Sequence, residues 1–454
     1  MRVRIREVIA TNGIRDGVAN GAYGVADYLS QPLIMFWAAP FLLHTLGAAQ
    51  YGLWMLIMAI VGSAGAISAG FGTAAIKYVA TYKGREDWEK VVGSIRCSLT
   101  LNLLFGCVLG LVIIAVAPVS VRYLFRIDST LSTHAVAGLR LGGIVVLVRS
   151  LECVFAASLR AYQRYDVAVR ISVISRTVVV LASVLLAGLG FTIVSMMAVS
   201  IIVGVVSLAV HMCAARGAIS GLTVLPSFDR KLLREQWHFG AYSWLQVVTG
   251  IAFNYGDRMV IAGFLGIEHL ALYSICVQIA QPIHGILASG LNVVFPWASS
   301  NLASKTGDKQ LSTLRSLVIL NFAASAVLTT ALLIISKPLL VFWMGKTFAD
   351  QAWTALCVVS VGFGLVSVNI APHYILLASG QVRYLTLLNL AATVIAMLAT
   401  LICVPIVGLL GAPIGRLFYG PVTWTMFSRL GRVFSNESRP SQSPLISSSA
   451  ISQV

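Results

Sequence analysis

Charge is what this sequence lacks. Only 11% of its 454 residues are charged, against about 25% in a typical soluble domain. Acid is scarcest: 16 Asp and Glu stand against 32 Lys and Arg. So little charge cannot cover a water-exposed surface of this size, and no stretch has the polarity and length of a separate soluble domain. Enzyme signatures are missing too. There is no GxxxxGK[ST] loop, GxSxG elbow, HExxH helix or paired-aspartate motif. The seven cysteines are scattered through apolar segments with no CxxC or Cys/His cluster. They are expected to be small buried hydrophobes, so no metal, disulfide framework or cofactor is expected. The start is not expected to be a cleavable signal peptide. Arg2, Arg4 and Arg6 lead into a mixed polar stretch, with no compact apolar core and cleavage site.

What is present is apolar sequence, 58% of the chain, in runs of 18 or more residues. Each run can cross roughly 30 Å of hydrocarbon as a helix. The runs are continuous rather than alternating, which points to helices and not a barrel. Twelve spans are expected, at 17–43, 50–76, 95–118, 136–160, 168–188, 192–214, 239–264, 270–302, 314–336, 349–378, 383–404 and 408–430. The expectation is an all-α polytopic membrane protein of about 12 transmembrane helices.

The basic residues orient it. The N-terminus, 77–96, 160–176, 215–238, 303–315, 379–383 and 429–454 hold 24 of the 32 Lys and Arg. Alternate connections hold four: Arg122, Arg126, Lys337 and Lys346. This positive-inside bias places both termini in the cytoplasm. It also makes the net charge of +16 a topology and anionic-lipid signal rather than a nucleic-acid one.

A weak internal repeat divides the chain. Gly21-Ala22-Tyr23 stands 25 residues before Leu46-Gly47, and Gly240-Ala241-Tyr242 stands 25 before Leu265-Gly266. Tyr51 and Tyr273 follow the two Leu-Gly pairs, and small-residue runs recur at Ser68-Ala69-Gly70 and Ala288-Ser289-Gly290. The repeat implies two six-helix lobes related by an axis along the membrane normal. They cover 1–214 and 239–435, joined by a cytoplasmic linker at 215–238 and followed by a disordered Ser-rich tail at 436–454. Pro32, Pro40, Pro282, Pro296, Pro372 and Pro413 lie within spans and mark expected kinks.

An ionisable residue near the bilayer centre costs about 2.5–3.5 kcal/mol, so it needs a partner or a wet cavity. The candidates are few. Asp27 has Gln31 one turn on. Arg149 and Glu152 share a face at i,i+3 and can neutralise each other. Asp257 and Arg258 point about 100° apart, so each needs a partner elsewhere, across the lobes or in a ligand. Gln278, Gln281 and His284 lie along one side of the eighth span, and His373 follows Pro372. Arg416 has no acid in its own span. Arg140, Lys77 and Arg160, near span ends, are expected to snorkel.

Several segments together resemble a known family. They are Leu46-Gly47 with Tyr51-Gly52, Gly70-Phe71-Gly72 with Lys77-Tyr78, the run Asn254-Tyr255-Gly256-Asp257-Arg258 before Leu265-Gly266 and Tyr273, and Val294-Phe295-Pro296. They resemble the Wzx-type polysaccharide flippases of the multidrug/oligosaccharidyl-lipid/polysaccharide exporter superfamily. The resemblance implies carriage of an undecaprenyl-diphosphate-linked oligosaccharide across the bacterial cytoplasmic membrane by alternating access of two lobes. Arg149, Arg416 and Arg258 would face the diphosphate. Gln31, Asn254, Gln278 and Gln281 would meet sugar hydroxyls. Asp27, Asp257, Glu152 and His284 would couple ions or bridge lobes. The partners would be membrane lipids, the lipid-linked glycan and a polysaccharide polymerase, with the chain itself a monomer. The alternatives are a drug/cation antiporter or a lipid II flippase of the same superfamily, and a membrane glycosyltransferase or ligase. An antiporter calls for acids rather than arginines, a lipid II flippase for extra helices, and a glycosyltransferase for larger loops.

Overall fold

In a computed structural model, residues 2–219, 221–291 and 308–437 are described. They form helices throughout, and among them no strand occurs. The order is α1 Arg2–Gly84, α2 Trp88–Val119 with a π-helical turn at Ser120–Leu124, α3 Ser129–Ala161, α4 Tyr165–Gly188 and α5 Ile193–Ala218. Then come α6 Arg230–Leu265, α7 Ile267–Leu291, α8 Asp308–Met344, α9 Lys346–Ser367, α10 Ile370–Ala378 and α11 Val382–Val407. A 3-10 turn at Gly408–Leu410 leads into α12 Gly411–Leu417, α13 Tyr419–Thr423 and α14 Thr425–Glu437.

Nine helical runs among the described residues are long and apolar enough to cross a membrane. Two of them, Ala22–Ile67 and Val382–Arg432, have 46 and 51 residues, about twice what one crossing needs. Each is interrupted, the first at Gly47 and the second at Gly408–Leu410. With α6, 36 residues long, the expected dozen crossings are accounted for. The helices outrun the bilayer, so the expected loops at 77–96 and 119–135 shrink to short turns. Val294, Phe295, Pro296 and the tail beyond Glu437 lie outside the described residues, as do the side chains of Ser68, Lys77 and Tyr242.

Backbone chemistry explains the breaks. Gly47 has φ 76 and ψ 166, a region open essentially to glycine alone. Its counterpart in the repeat, Gly266, has φ 88, and Tyr51 and Tyr273 beyond the two turns are both fully buried. Pro40 has no N–H to offer the Phe36 carbonyl one turn back. Trp343 Nε1 of α8 donates to that oxygen at 3.0 Å, and its ring stacks on Phe36 at 4.5 Å. Pro372 likewise frees the Val368 carbonyl, where α9 gives way to α10. Asn321 Nδ2 of α8 donates to it at 2.7 Å. Pro413, like Pro372 in α10, is the third residue of its helix, α12, and follows the break at Gly408–Leu410. Helical structure runs on through Pro32 and Pro282.

The molecule is apolar outside as well as inside. Trp37 is 80% exposed and Phe342 92% exposed, as lipid-facing side chains are. Lipid gives helices little hydrophobic reason to associate, so close backbone approach has to do it. A Cβ on Gly110 of α2 would run 2.6 Å from the Gly143 carbonyl of α3. At the Gly47 end one apolar core is shared, with Tyr51, Leu53 and Ile57 of α1 clustering with Ile267, Leu270 and Tyr273 of α7. At the opposite end there are two separate cores. One joins Val79, Ile95, Leu159 and Ala215 of the N-terminal half. The other joins Leu314, Ile375, Leu385 and Met426 of the C-terminal half.

The segment between α5 and α6 is fastened to the first half. Arg96 Nε donates to the Leu225 carbonyl at 2.8 Å. Thr100 Oγ1 donates to the Ser227 carbonyl at 2.8 Å and accepts from its N–H at 3.0 Å. Nearby, Asp87 caps α2 by accepting from the Lys90 N–H, and its hydrogen bond with the Lys90 ammonium holds its carboxyl below the usual range.

Candidate functional site

Among the described side chains, three acids lie away from the helix ends, and each meets an arginine. Asp27 of α1 accepts from Arg160 Nη2 of α3 at 2.9 Å and from Arg176 Nη2 of α4 at 2.7 Å. Arg176 Nη1 also donates to the Asp27 carbonyl at 2.8 Å and to Ser30 Oγ at 2.9 Å. With two guanidiniums on one carboxylate, the cluster keeps a net positive charge. Glu152 of α3 accepts from Arg149 Nη1 at 3.2 Å and from the Ser207 hydroxyl of α5. His211 of α5 closes this group. Its Nδ1 stands 3.0 Å from the Ser207 carbonyl and 3.4 Å from Glu152 Oε1.

The third acid sits in the C-terminal half. Asp257 of α6 accepts from Arg416 Nη2 of α12 at 2.9 Å, from the Tyr273 hydroxyl of α7 and from the Arg258 N–H at 2.8 Å. Arg416 donates again to the Phe253 carbonyl at 2.8 Å. Its guanidinium lies between the rings of Phe253, at 4.5 Å, and Phe363, at 4.6 Å. Arg416 is 3% exposed and Asp257 4%. A charge this deep persists only when paired and hydrogen-bonded, and here both conditions hold. A small pocket opens beside the pair, lined by Phe253, Thr393, Met397 and Thr400.

The halves meet along a seam where α1 faces α6 and α7. Tyr28 lies against Gly285 and faces Gln281. Gly62 admits the Tyr255 ring, and a Cβ on Gly52 would collide with the Ile267 carbonyl. Gln278 Nε2 of α7 reaches Met55 Sδ of α1 at 3.9 Å. Each of the three acids has its arginine within its own half, and the seam contacts named here are made by amide, thioether and aromatic side chains.

The sequence model of a family described as polysaccharide biosynthesis protein matches residues 43–322, from the Gly47 turn across the seam into α8. The chain belongs to the polysaccharide biosynthesis protein family. A Shigella flexneri protein named as an O-antigen transporter is 22% identical over 399 residues, which is 87% of this chain and 93% of that protein. Among solved structures, an inward-facing multidrug resistance MATE family transporter of the MOP superfamily superposes with a TM-score of 0.76. It is 16% identical and the match covers 92% of this chain and 99% of that one. A eukaryotic MATE transporter gives 0.67 at 12% identity over 94% and 98% of the two chains. An outward-facing MATE family transporter gives 0.60 at 14% identity over 92% and 97%. The shared feature is the fold.

In this polysaccharide biosynthesis protein the residues singled out from sequence fall into separate groups. Arg149 and Glu152 pair as their spacing allows. Asp257 finds Arg416, and Arg258 turns away with its Cζ 5.7 Å from the Tyr255 ring. The expected bridge between lobes is, for both Asp27 and Asp257, an ion pair inside one half. No described contact joins Arg149 to Arg258 or Arg416. Gln31 and Asn254 are exposed, and Asn254 Nδ2 donates to the Gly250 carbonyl at 2.8 Å. His284 Nδ1 stands 3.3 Å from Ser367 Oγ. Arg140 is exposed, as snorkelling requires. Arg160 is not a snorkelling residue, because Asp27 holds it. Sequence reasoning missed Arg176, Tyr28, Ser207 and His211. For Arg176 a signal existed, since it lies inside a span as well as in a basic segment.

Proposed function

We propose that the chain is a flippase that carries an undecaprenyl-diphosphate-linked oligosaccharide repeat unit across the bacterial cytoplasmic membrane for polysaccharide assembly. One observation carries the reading. Arg149, Arg160, Arg176, Arg258 and Arg416 outnumber Asp27, Glu152 and Asp257, and each acid is already bound to an arginine. The charge buried within the two halves is therefore net positive, and the seam between them carries amides and aromatic rings. A diphosphate is attracted by guanidinium groups, and sugars hydrogen bond to amides and stack on rings. A cationic drug finds no free carboxylate there, which disfavours the antiporter.

In this reading two lobes rock about the shared core. The end with separate cores faces the cytoplasm, in keeping with the basic connections and the inward-facing likeness. Arg149, whose side chain is 32% exposed, is the cation most open to the diphosphate, and buried Arg258 and Arg416 supply positive potential further in. Gln31, Asn254, Gln278 and Gln281 meet sugar hydroxyls. The chain acts as a monomer, and a polysaccharide polymerase consumes what it delivers. Deleting the gene is expected to abolish the surface glycan and to accumulate lipid-linked repeat units, with both reversed by the wild-type gene. An unchanged surface glycan in the deletion strain would sink the proposal. Loss of cationic dye efflux instead would favour the antiporter.

A further inference from the structure

A cluster of polar atoms with no hydrogen-bond partner is buried at the seam, just inside the Gly47 turn. It comprises Trp54 Nε1 and the Tyr51 hydroxyl of α1, Arg258 Nε of α6, and Ser274 Oγ and Gln278 Oε1 of α7. Tyr51 lies beside three of the others. The Tyr51 and Trp54 rings are 5.9 Å apart, and the Tyr51 hydroxyl faces the Gln278 amide within reach of the Arg258 charge, without a well-formed hydrogen bond. Ser274 precedes Gln278 by one turn of α7. Tyr51 and Ser274 are fully buried.

The imbalance has a chemical sense. Tyr51, Trp54, Arg258 and Ser274 each present an O–H or N–H, and Gln278 Oε1 is the one carbonyl oxygen in the group. Each unmet group costs about 1–3 kcal/mol when sealed from water. The closed seam therefore withholds hydrogen bonds that a parted seam would make. A ligand suited to this set has many oxygen acceptors and faces that stack on indole and phenol rings. A hydroxylated sugar has both.

We propose that Tyr51, Trp54, Arg258, Ser274 and Gln278 form a concealed sugar-binding subsite that opens to the outer face when the halves part at the Gly47 end. It rests on the flippase reading and adds to it a place where the glycan is held after crossing, before release. The subsite is shut in the inward-facing state, so it cannot hold glycan on the cytoplasmic side. Binding there favours the outward-facing state by the difference in affinity between the two states.

The test uses the full-length Ser274→Cys chain in proteoliposomes with a membrane-impermeant maleimide on the outer face, the labelled cysteine being located by mass spectrometry. The probes are a short-chain prenyl-diphosphate oligosaccharide and the same prenyl diphosphate without sugar. The introduced thiol is expected to react slowly alone and more slowly still with the oligosaccharide, but not with the bare diphosphate. Trp54→Phe and Gln278→Leu, which keep bulk and remove an unmet polar group, are expected to slow glycan-free labelling, because the closed seam then withholds fewer hydrogen bonds. Each should raise the oligosaccharide concentration needed for protection roughly tenfold, the effect of losing one hydrogen bond. Equal protection by the bare diphosphate, or none by the oligosaccharide in a chain that still translocates it, overturns the subsite and leaves the flippase reading standing. Protection without translocation overturns the flippase reading and leaves the subsite.

Discussion

Arg416 is held by Asp257, by the Phe253 carbonyl and by two aromatic faces, so its removal acts through what it leaves behind. Arg416→Ala leaves a buried carboxylate without its counter-charge, which costs about 3–5 kcal/mol. The variant is expected to lose thermal stability in detergent as well as glycan export. Asp257→Ala in the same chain should recover part of the stability, since the stranded charge is then gone. Additive losses in the two single variants and the double would refute the coupling. Such a pair was hard to foresee. Arg149 and Glu152 are three residues apart and any helix brings them together. Asp257 and Arg416 are 159 residues apart, and only the packing of α12 against α6 selects that partner. Arg160 was misjudged for the same reason, because its acid lies 133 residues away.

The elements were more legible than their contacts. Apolar length marks a crossing, and a Leu-Gly pair marks a turn, whatever the partners. Hence the spans and the breaks between them at Gly47 and Gly266 could be read directly, whereas the prolines could not, since the helix runs on through Pro32 and Pro282. How a freed carbonyl is satisfied could not be read either. Pro372 and Asn321 supply a test at this scale. Asn321→Ala leaves the Val368 carbonyl bare and is expected to cost about 1–3 kcal/mol. Pro372→Ala returns an N–H to the helix, so in that background Asn321→Ala should cost less, as thermal unfolding of the four proteins would show. The turn offers a second test. Gly47→Ala forces a side chain into a conformation worth about 1–3 kcal/mol of strain, and should lower the unfolding temperature without moving any polar group. An unchanged unfolding temperature would mean that the turn relaxes.

For the whole molecule, the shared core at one end and the paired cores at the other define a single direction of closure. Phe36 and Trp343 sit on opposite sides of the closed end. Cysteines placed at both positions and oxidised to a disulfide are expected to arrest export, and reduction should restore it. Export that continues through the oxidised chain would show that this end never opens. The fastening of the connecting segment has a consequence for genetics. Residues 222–229 grip α2, and the halves adhere through their common core, so the peptide bonds joining them contribute little to their recognition. A gene cut after the codon for Asp229 should yield two polypeptides that find each other in the membrane and co-purify, as two genes do when they encode the halves of one machine.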